Sequence, residues 1–300
     1  SMLHTVSLLF SRVFAVGVFF FVARFINPTE FGTLTLFLTL STLVALVGDG
    51  GLVQWYVGKG QLERGGLEKV LFLRTLFLLV TLILSAAVFV IYPLFSPFLI
   101  LCFLFNLLPE ALLSVLDAEY IVQKKSYAIG IKNSIRYFFL MVTLLAFGSK
   151  SVEMMLFSYV LGSYVACAWY VPWKRIDFSK LLQTRKQVFE VFKASKNYGV
   201  LISVSALYSR SDQLLIDFFL GRSFVGAYSL AYRYLDLAVL FPTTIGQNLF
   251  GKISVLKGEE KKSVLPAVIL MGSLGVLTGV LLYGVAGFLT QGVFGSREYY

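Results

Sequence analysis

Eight ionisable side chains inside or at the ends of long apolar runs stand out in this sequence as groups with the means to do chemistry there. Arg12 and Arg24 fall in the first run, Arg210, Asp212 and Asp217 in the seventh, and Arg233 and Asp236 in the eighth. Asp49 stands in GDGGL at the end of the second. A charged side chain in the middle of a bilayer costs at least about 2.5–3.5 kcal/mol, so it turns to a cavity, a partner or an interface. Arginine is the stronger signal, because it stays protonated when buried and grips phosphate through two parallel hydrogen bonds. Arg210 and Asp217, seven apart, share a helical face, whereas Asp212 points nearly opposite to Arg210. Arg233 and Asp236, three apart, can pair along one helix. The first run holds two arginines and no acid, so its charges must be met by another helix, water or a ligand.

These residues sort into two groups of candidates. Arg12, Arg24, Arg210 and Arg233 are candidates for binding an anion in a polar lumen; Asp49, Asp212, Asp217 and Asp236 are candidates for a coupling ion. Plainer readings stand beside them. Arg24 either lines the lumen or snorkels to outer headgroups. Asp49 and Asp217 lie close to run ends, where a solvated helix cap is the alternative, and Arg233–Asp236 is alternatively a structural ion pair. Asp117 and Glu119 close the fourth run and read as ordinary interface residues. GDGG lacks the strand context and spacing of a nucleotide loop. The single histidine, His4, reads as solvated, and Cys102 and Cys167 both sit in apolar runs. No disulfide, metal site or cofactor is expected.

The elements that must position these residues are membrane spans. The chain is 58% hydrophobic and 14% charged, with 29 Phe and 16 Tyr, and its mean hydropathy is +0.81. Soluble domains carry about 25% charged residues. Runs long enough to cross about 30 Å of hydrocarbon are expected near 5–26, 32–54, 70–91, 97–117, 131–147, 152–172, 199–220, 225–250 and 264–288. The fold class is therefore all-α and polytopic, with about nine transmembrane helices. The N-terminus has no basic start or cleavage site, so the first run reads as a retained span.

Connector charge sets the orientation. Short turns (NPTEF, YPLFSP, GSKSVE, GRSF) alternate with longer basic connectors, and 19 of the 26 Lys and Arg fall in the longer set and its flanking span ends. Basic connectors stay in the cytoplasm, so the N-terminus is expected there and the short turns outside. The net charge of +10 is then a topology signal that also attracts anionic lipid, and nucleic acid need not be invoked. Residues 173–198 place Phe178, Leu181, Leu182, Val188, Phe189 and Phe192 at helical spacing among basic residues, the pattern of a helix lying on the inner membrane surface.

The sequence also repeats itself. RFINPTEFGTLTLFLT at 24–39 matches FFLGRSFVGAYSLAYR at 218–233 when Gly226 is laid on Gly32, and the same offset of 194 carries Val70-Leu71 onto Val264-Leu265. Small residues such as Gly17, Gly162, Gly272 and Gly279 permit close helix contact. A shift that brings three spans into register predicts duplication of a six-span unit, with both halves entering the membrane from the same side. The expected division is a six-helix N-terminal lobe over 1–172, a cytoplasmic amphipathic linker over 173–198 and three helices of a second lobe over 199–300. Three spans against six implies that the chain is part of a longer protein of about twelve or more.

ARFINPTEFGTLTL followed by GDGGL resembles the first hairpin of Wzx-type polysaccharide flippases of the MATE-like exporter superfamily. DQLLIDFFLGRSFVGAYSLAYR resembles the matching hairpin of their second lobe, with Gly32, Gly226 and Tyr228 on the pattern. The resemblance implies two six-helix bundles around a central cavity with a cationic lumen. It further implies movement of an undecaprenyl-pyrophosphate-linked oligosaccharide from the inner to the outer leaflet of the bacterial cytoplasmic membrane, for which the expected mechanism is alternating access, with a carboxylate such as Asp212 or Asp217 taking up H+ or Na+. Arg12, Arg24, Arg210 and Arg233 are the residues available for that lumen. The competing reading is a multidrug cation antiporter of the same superfamily, which favours buried carboxylates over arginines. An enzyme acting on the same lipid is disfavoured, because the outer turns are a few residues long and no His or Cys cluster is present.

Overall fold

A computed structural model describes residues 2–58, 66–91, 95–123, 125, 127–147, 151–170 and 185–236, with isolated positions between 269 and 284. The elements are α1 (Met2–Phe25), α2 (Pro28–Val47), α3 (Leu52–Gly58), α4 (Gly66–Ile91), α5 (Pro97–Val122), α6 (Tyr127–Phe147), α7 (Val152–Tyr170) and α8 (Arg185–Leu220). A further helix, α9, covers 222–236. Among the described residues there is no strand. Among the described residues, five segments are long and apolar enough to cross a membrane: α2, 67–87 of α4, α5, 127–146 of α6, and α7. The chain is an all-α polytopic membrane protein. Most of the expected eighth and ninth spans, and residues 173–184 of the expected linker, lie outside the described residues.

Local signals start two of the helices, α5 at its expected residue and α2 four residues before the expected one. The Asn27 side chain accepts from the Glu30 amide at 2.8 Å, with Pro28 as first helical residue. Ser96 caps α5 by accepting from the Leu99 amide at 3.3 Å, again before a proline. Both fit the preference for a polar N-cap followed by proline. Inside α5, Pro109 has no N–H to give to the Phe105 carbonyl four residues back. The Tyr164 hydroxyl of α7 donates to that carbonyl at 2.9 Å instead, which a backbone acceptor away from water requires.

One apolar core unites α1, α2, α5, α6 and α7, with Phe19, Val22, Phe31, Leu34, Leu36, Phe37 and Met155 at 0–1% exposure. A second joins α3, α4 and α5 to Val191 of α8. Gly162 lets α7 approach α6, since a Cβ there would lie 3.1 Å from Arg136 Cα.

Three expectations change. The second span is not continuous to residue 54: α2 ends at Val47 and a separate short helix, α3, begins at Leu52. Gly50 and Gly51 between them take φ of 58° and 77°, a region that favours glycine and halts a right-handed helix. The surface helix expected up to residue 198 is not a separate element from Arg185 onward. Those residues form the first turns of α8, which runs unbroken into the seventh span over about 54 Å. Finally, Arg74, Lys132 and Arg136, which the charge count groups with cytoplasmic connectors and span ends, are 2%, 4% and 6% exposed.

Candidate functional site in the seam between α1–α2 and α8–α9

At one end of the seam α2 crosses α9 at Gly32 and Gly226. A Cβ on Gly32 would strike the Arg222 carbonyl and lie 3.1 Å from the Gly226 amide nitrogen. A Cβ on Gly226 would strike the Pro28 carbonyl and lie 3.1 Å from the Gly32 amide nitrogen. Under the offset of 194, Gly226 is the counterpart of Gly32 and Arg222 of Pro28, so the contact is reciprocal. Mutual contacts of this kind are what a two-fold axis produces.

Further along the seam the same reciprocity recurs with different chemistry. Thr39 of α2 donates its hydroxyl proton to Gln213 Oε1 of α8 at 2.5 Å, both buried. The counterparts of Thr39 and Gln213 are Arg233 and Phe19. The Arg233 guanidinium lies 4.0 Å from the centroid of the Phe19 ring, a cation–π contact across the seam. Phe20 and Tyr234 pack beside it with centroids 4.7 Å apart.

The eight candidates fall into distinct settings. Arg233 and Asp236 are brought together, Nη1 to Oδ2 at 3.2 Å, as the spacing of three predicts. Asp212 accepts from the Tyr228 hydroxyl of α9 and from the Gln213 amide at 2.8 Å. Asp217 is buried at the end of α8 with Arg222 Nε 3.8 Å away. Arg222 in turn donates to Thr33 Oγ1 at 3.3 Å and lies over the Phe95 ring. Asp49 is 3% exposed, 3.7 Å from Arg74 Nε, and accepts from the Val53 amide at 3.1 Å. It is thus a cap, as one reading holds, but a buried one. Arg12 and Arg24 are exposed and Arg210 is half-buried; none of the three has an ion-pair partner among the described residues. Arg12 is seven residues from Phe19, hence on the face of α1 that meets Arg233. A cleft of about 380 Å³ between α1 and α6 is lined by Phe10, Phe14, Ile131, Ile135 and neighbours. It is apolar and lies on the opposite side of α1 from Arg12.

A buried charge cluster inside the first seven helices is absent from the candidates read from sequence. Glu110 of α5 pairs with Arg136 of α6, whose Nε donates to Ser163 Oγ of α7 at 2.9 Å. Lys132 contacts Asp117 at 2.5 Å, and Asp117 also accepts from the Tyr170 hydroxyl at 2.9 Å. Glu119 accepts from the Tyr56 hydroxyl. Asp117 and Glu119 are therefore interhelical ties and not plain interface residues. The signal for Glu110 was present: it is the carboxylate in the interior of the apolar run 97–117, whereas Asp117 stands at its end.

A family profile described as polysaccharide biosynthesis protein matches residues 21–297. The chain is 26% identical over 282 residues to the probable low-salt glycan biosynthesis flippase Agl15 of Haloferax volcanii, covering 88% of this chain and 58% of that protein. It is 29% identical over 118 residues to the probable flippase AglR of the same organism, covering 39% and 24%. The chain thus spans under two thirds of the length of these relatives. No solved structure matches. A match over nearly the whole chain, on a fold of apolar helices with the repeated hairpin, settles the family: the chain belongs to the polysaccharide biosynthesis proteins, in keeping with the resemblance its two hairpins carry.

Proposed function

We propose that this chain forms the first lobe and part of the second lobe of a flippase. On this reading it moves a polyprenyl-phosphate-linked oligosaccharide from the inner to the outer leaflet. A diphosphate and its glycan cannot cross hydrocarbon unaided, whereas a polar passage can replace water around them while the polyprenyl tail stays in lipid. The observation that carries the reading is Arg233, a guanidinium held in the seam between repeat-related helices, with Arg12 on the same face of α1. Arg12, Arg24, Arg210 and Arg233 hold the anionic headgroup. One of Asp49, Asp212, Asp217 and Asp236 takes up H+ or Na+ as the lobes rock in alternating access. The protein is a transporter and not an enzyme, and it works with lipid-linked glycan and membrane lipids. Undecaprenyl pyrophosphate in a bacterial cytoplasmic membrane is the finer reading that the hairpin resemblance supports, and an N-terminus inside is the one that the basic connectors support; both named relatives come from an archaeon.

The test is reconstitution of the full-length protein in vesicles with a fluorescent lipid-linked oligosaccharide on one leaflet. Protection from an outside quencher or glycosidase should change with time only when the protein is present. Efflux of cationic drugs without movement of the lipid-linked glycan would instead support the multidrug antiporter. The arginines of α1, which have no ion-pair partner among the described residues and no acid in their own helix, weigh against that alternative.

A further inference from the structure

The break between α2 and α3 leaves two half-helix ends inside the protein, and one ion pair serves both. Arg74 of α4 donates Nη2 to the Ala45 carbonyl near the end of α2 at 2.9 Å. Asp49 accepts from the Val53 amide in the first turn of α3 at 3.1 Å. Each charge suits the helix end it meets, a cation at the carbonyl end and an anion at the amide end. The two are 3.7 Å apart at 2% and 3% exposure. The pair is incompletely satisfied, because Arg74 Nε and Nη1 and Asp49 Oδ1 have no hydrogen-bond partner among the described residues. The break also touches α8, backbone on backbone. A Cβ on Gly51 would strike the Gly199 amide nitrogen, and a Cβ on Gly199 would lie 2.6 Å from the Gly50 carbonyl oxygen. This contact lies at the far end of α2 from Gly32, the end that the basic connectors mark as cytoplasmic.

We propose that Asp49 is the residue that binds the coupling proton, with Arg74 as its positioning partner, and that protonation frees α3 from α8 at the cytoplasmic end. The proposal rests on the transport reading above. The proton adds to Oδ1, the carboxylate oxygen without a donor. The neutral acid no longer holds the guanidinium, and Arg74 turns to Glu110, the acid of α5 whose charge also acts on it. With its cap loosened, the first turn of α3 loses the contact that holds Gly51 against Gly199. A metal ion is disfavoured at this carboxylate because a buried guanidinium already faces it. The groups around Asp49 are few. Arg74 faces it from α4, the charge of Glu110 on α5 acts on Arg74, and Arg136 of α6 holds Glu110. Tyr56 of α3 bonds Glu119, Tyr198 of α8 is partly buried, and Lys193 and Lys196 of α8 are exposed.

Spin labels on Gly58→Cys of α3 and Val200→Cys of α8, in the full-length protein with Cys102 and Cys167 replaced by alanine, read this contact by pulsed EPR in nanodiscs. Both labelled positions are exposed. The parent protein should show a longer separation on acidification. Asp49→Asn should show the long separation at every pH. Glu110→Gln, which still accepts from Arg136 but offers Arg74 no anion, should lose the acid-induced lengthening and stands in if Asp49→Asn fails to accumulate. A parent with no pH response, or either variant responding like the parent, overturns the proposal. The distances do not depend on the glycan: absent flipping alongside the expected distances counts against the transport reading alone. Flipping with a parent-like pH response in Asp49→Asn counts against this inference alone.

Discussion

Gly32 and Gly226 stand face to face, and each occupies the space that the other's side chain would need. Their backbones approach so closely that a Cβ on either would run into the carbonyl of the residue four before the other, Arg222 or Pro28. The obstacle is backbone, so a rotamer change cannot relieve it. Gly32→Ala or Gly226→Ala is expected to destabilise by about 1–3 kcal/mol, the range for overpacking, and to reduce transport. Gly17→Ala has nothing within 4 Å of the new carbon. It should leave stability unchanged or raise it by up to about 1 kcal/mol through helix propensity. Thermal unfolding of the three variants in one detergent checks the contrast.

The repeat behind this crossing was legible in the sequence, though the crossing itself was not. The offset that lays Gly226 on Gly32 also pairs Thr39 with Arg233 and Phe19 with Gln213, and the structure brings those four together as two cross-seam contacts. The Arg233–Asp236 pair followed from a spacing of three. What escaped was interhelical. Arg74 and Arg136 sit a turn or two inside their spans, where sequence spacing alone cannot separate a snorkelling cation from one buried against a partner helix. Their acids, Asp49 and Glu110, come from segments 25 and 26 residues away. The Gly48–Gly51 break also escaped, because apolar residues on both sides read as one span.

The Glu110–Arg136 pair joins α5 to α6 and is tied on to α7 through Ser163. Removing one partner strands a charge in the core. Glu110→Ala or Arg136→Ala should each destabilise by about 3–5 kcal/mol, whereas Glu110→Met with Arg136→Met should be close to neutral. Equilibrium unfolding of the single and double variants measures this. Single variants as stable as the parent would mean that the pair is not buried in the membrane.

Thr39 and Gln213 exchange the one short neutral hydrogen bond described between α2 and α8. Hydrogen bonds between membrane helices average about 0.6 kcal/mol and reach about 1.7 kcal/mol. A double-mutant cycle on Thr39→Val and Gln213→Leu should return a coupling in that range. The same cycle on Phe19→Leu and Arg233→Gln should return a coupling of about 0.5–2 kcal/mol for the cation–π contact. A coupling near zero in both cycles would mean that the seam is open in the resting protein.

If guanidinium groups along this seam carry the anionic headgroup, Arg210, half-buried and without an ion-pair partner among the described residues, is one whose loss should stop transport while disturbing folding little. The direct measurement is the rate of glycan-lipid flipping by reconstituted full-length Arg210→Ala, alongside Arg210→Lys, at matched amounts of inserted protein. Arg210→Ala should lose flipping with normal insertion, and Arg210→Lys, which keeps the charge but not the two-pronged grip on phosphate, should recover it in part. Parent-like flipping by Arg210→Ala would contradict that role for the seam guanidinium groups.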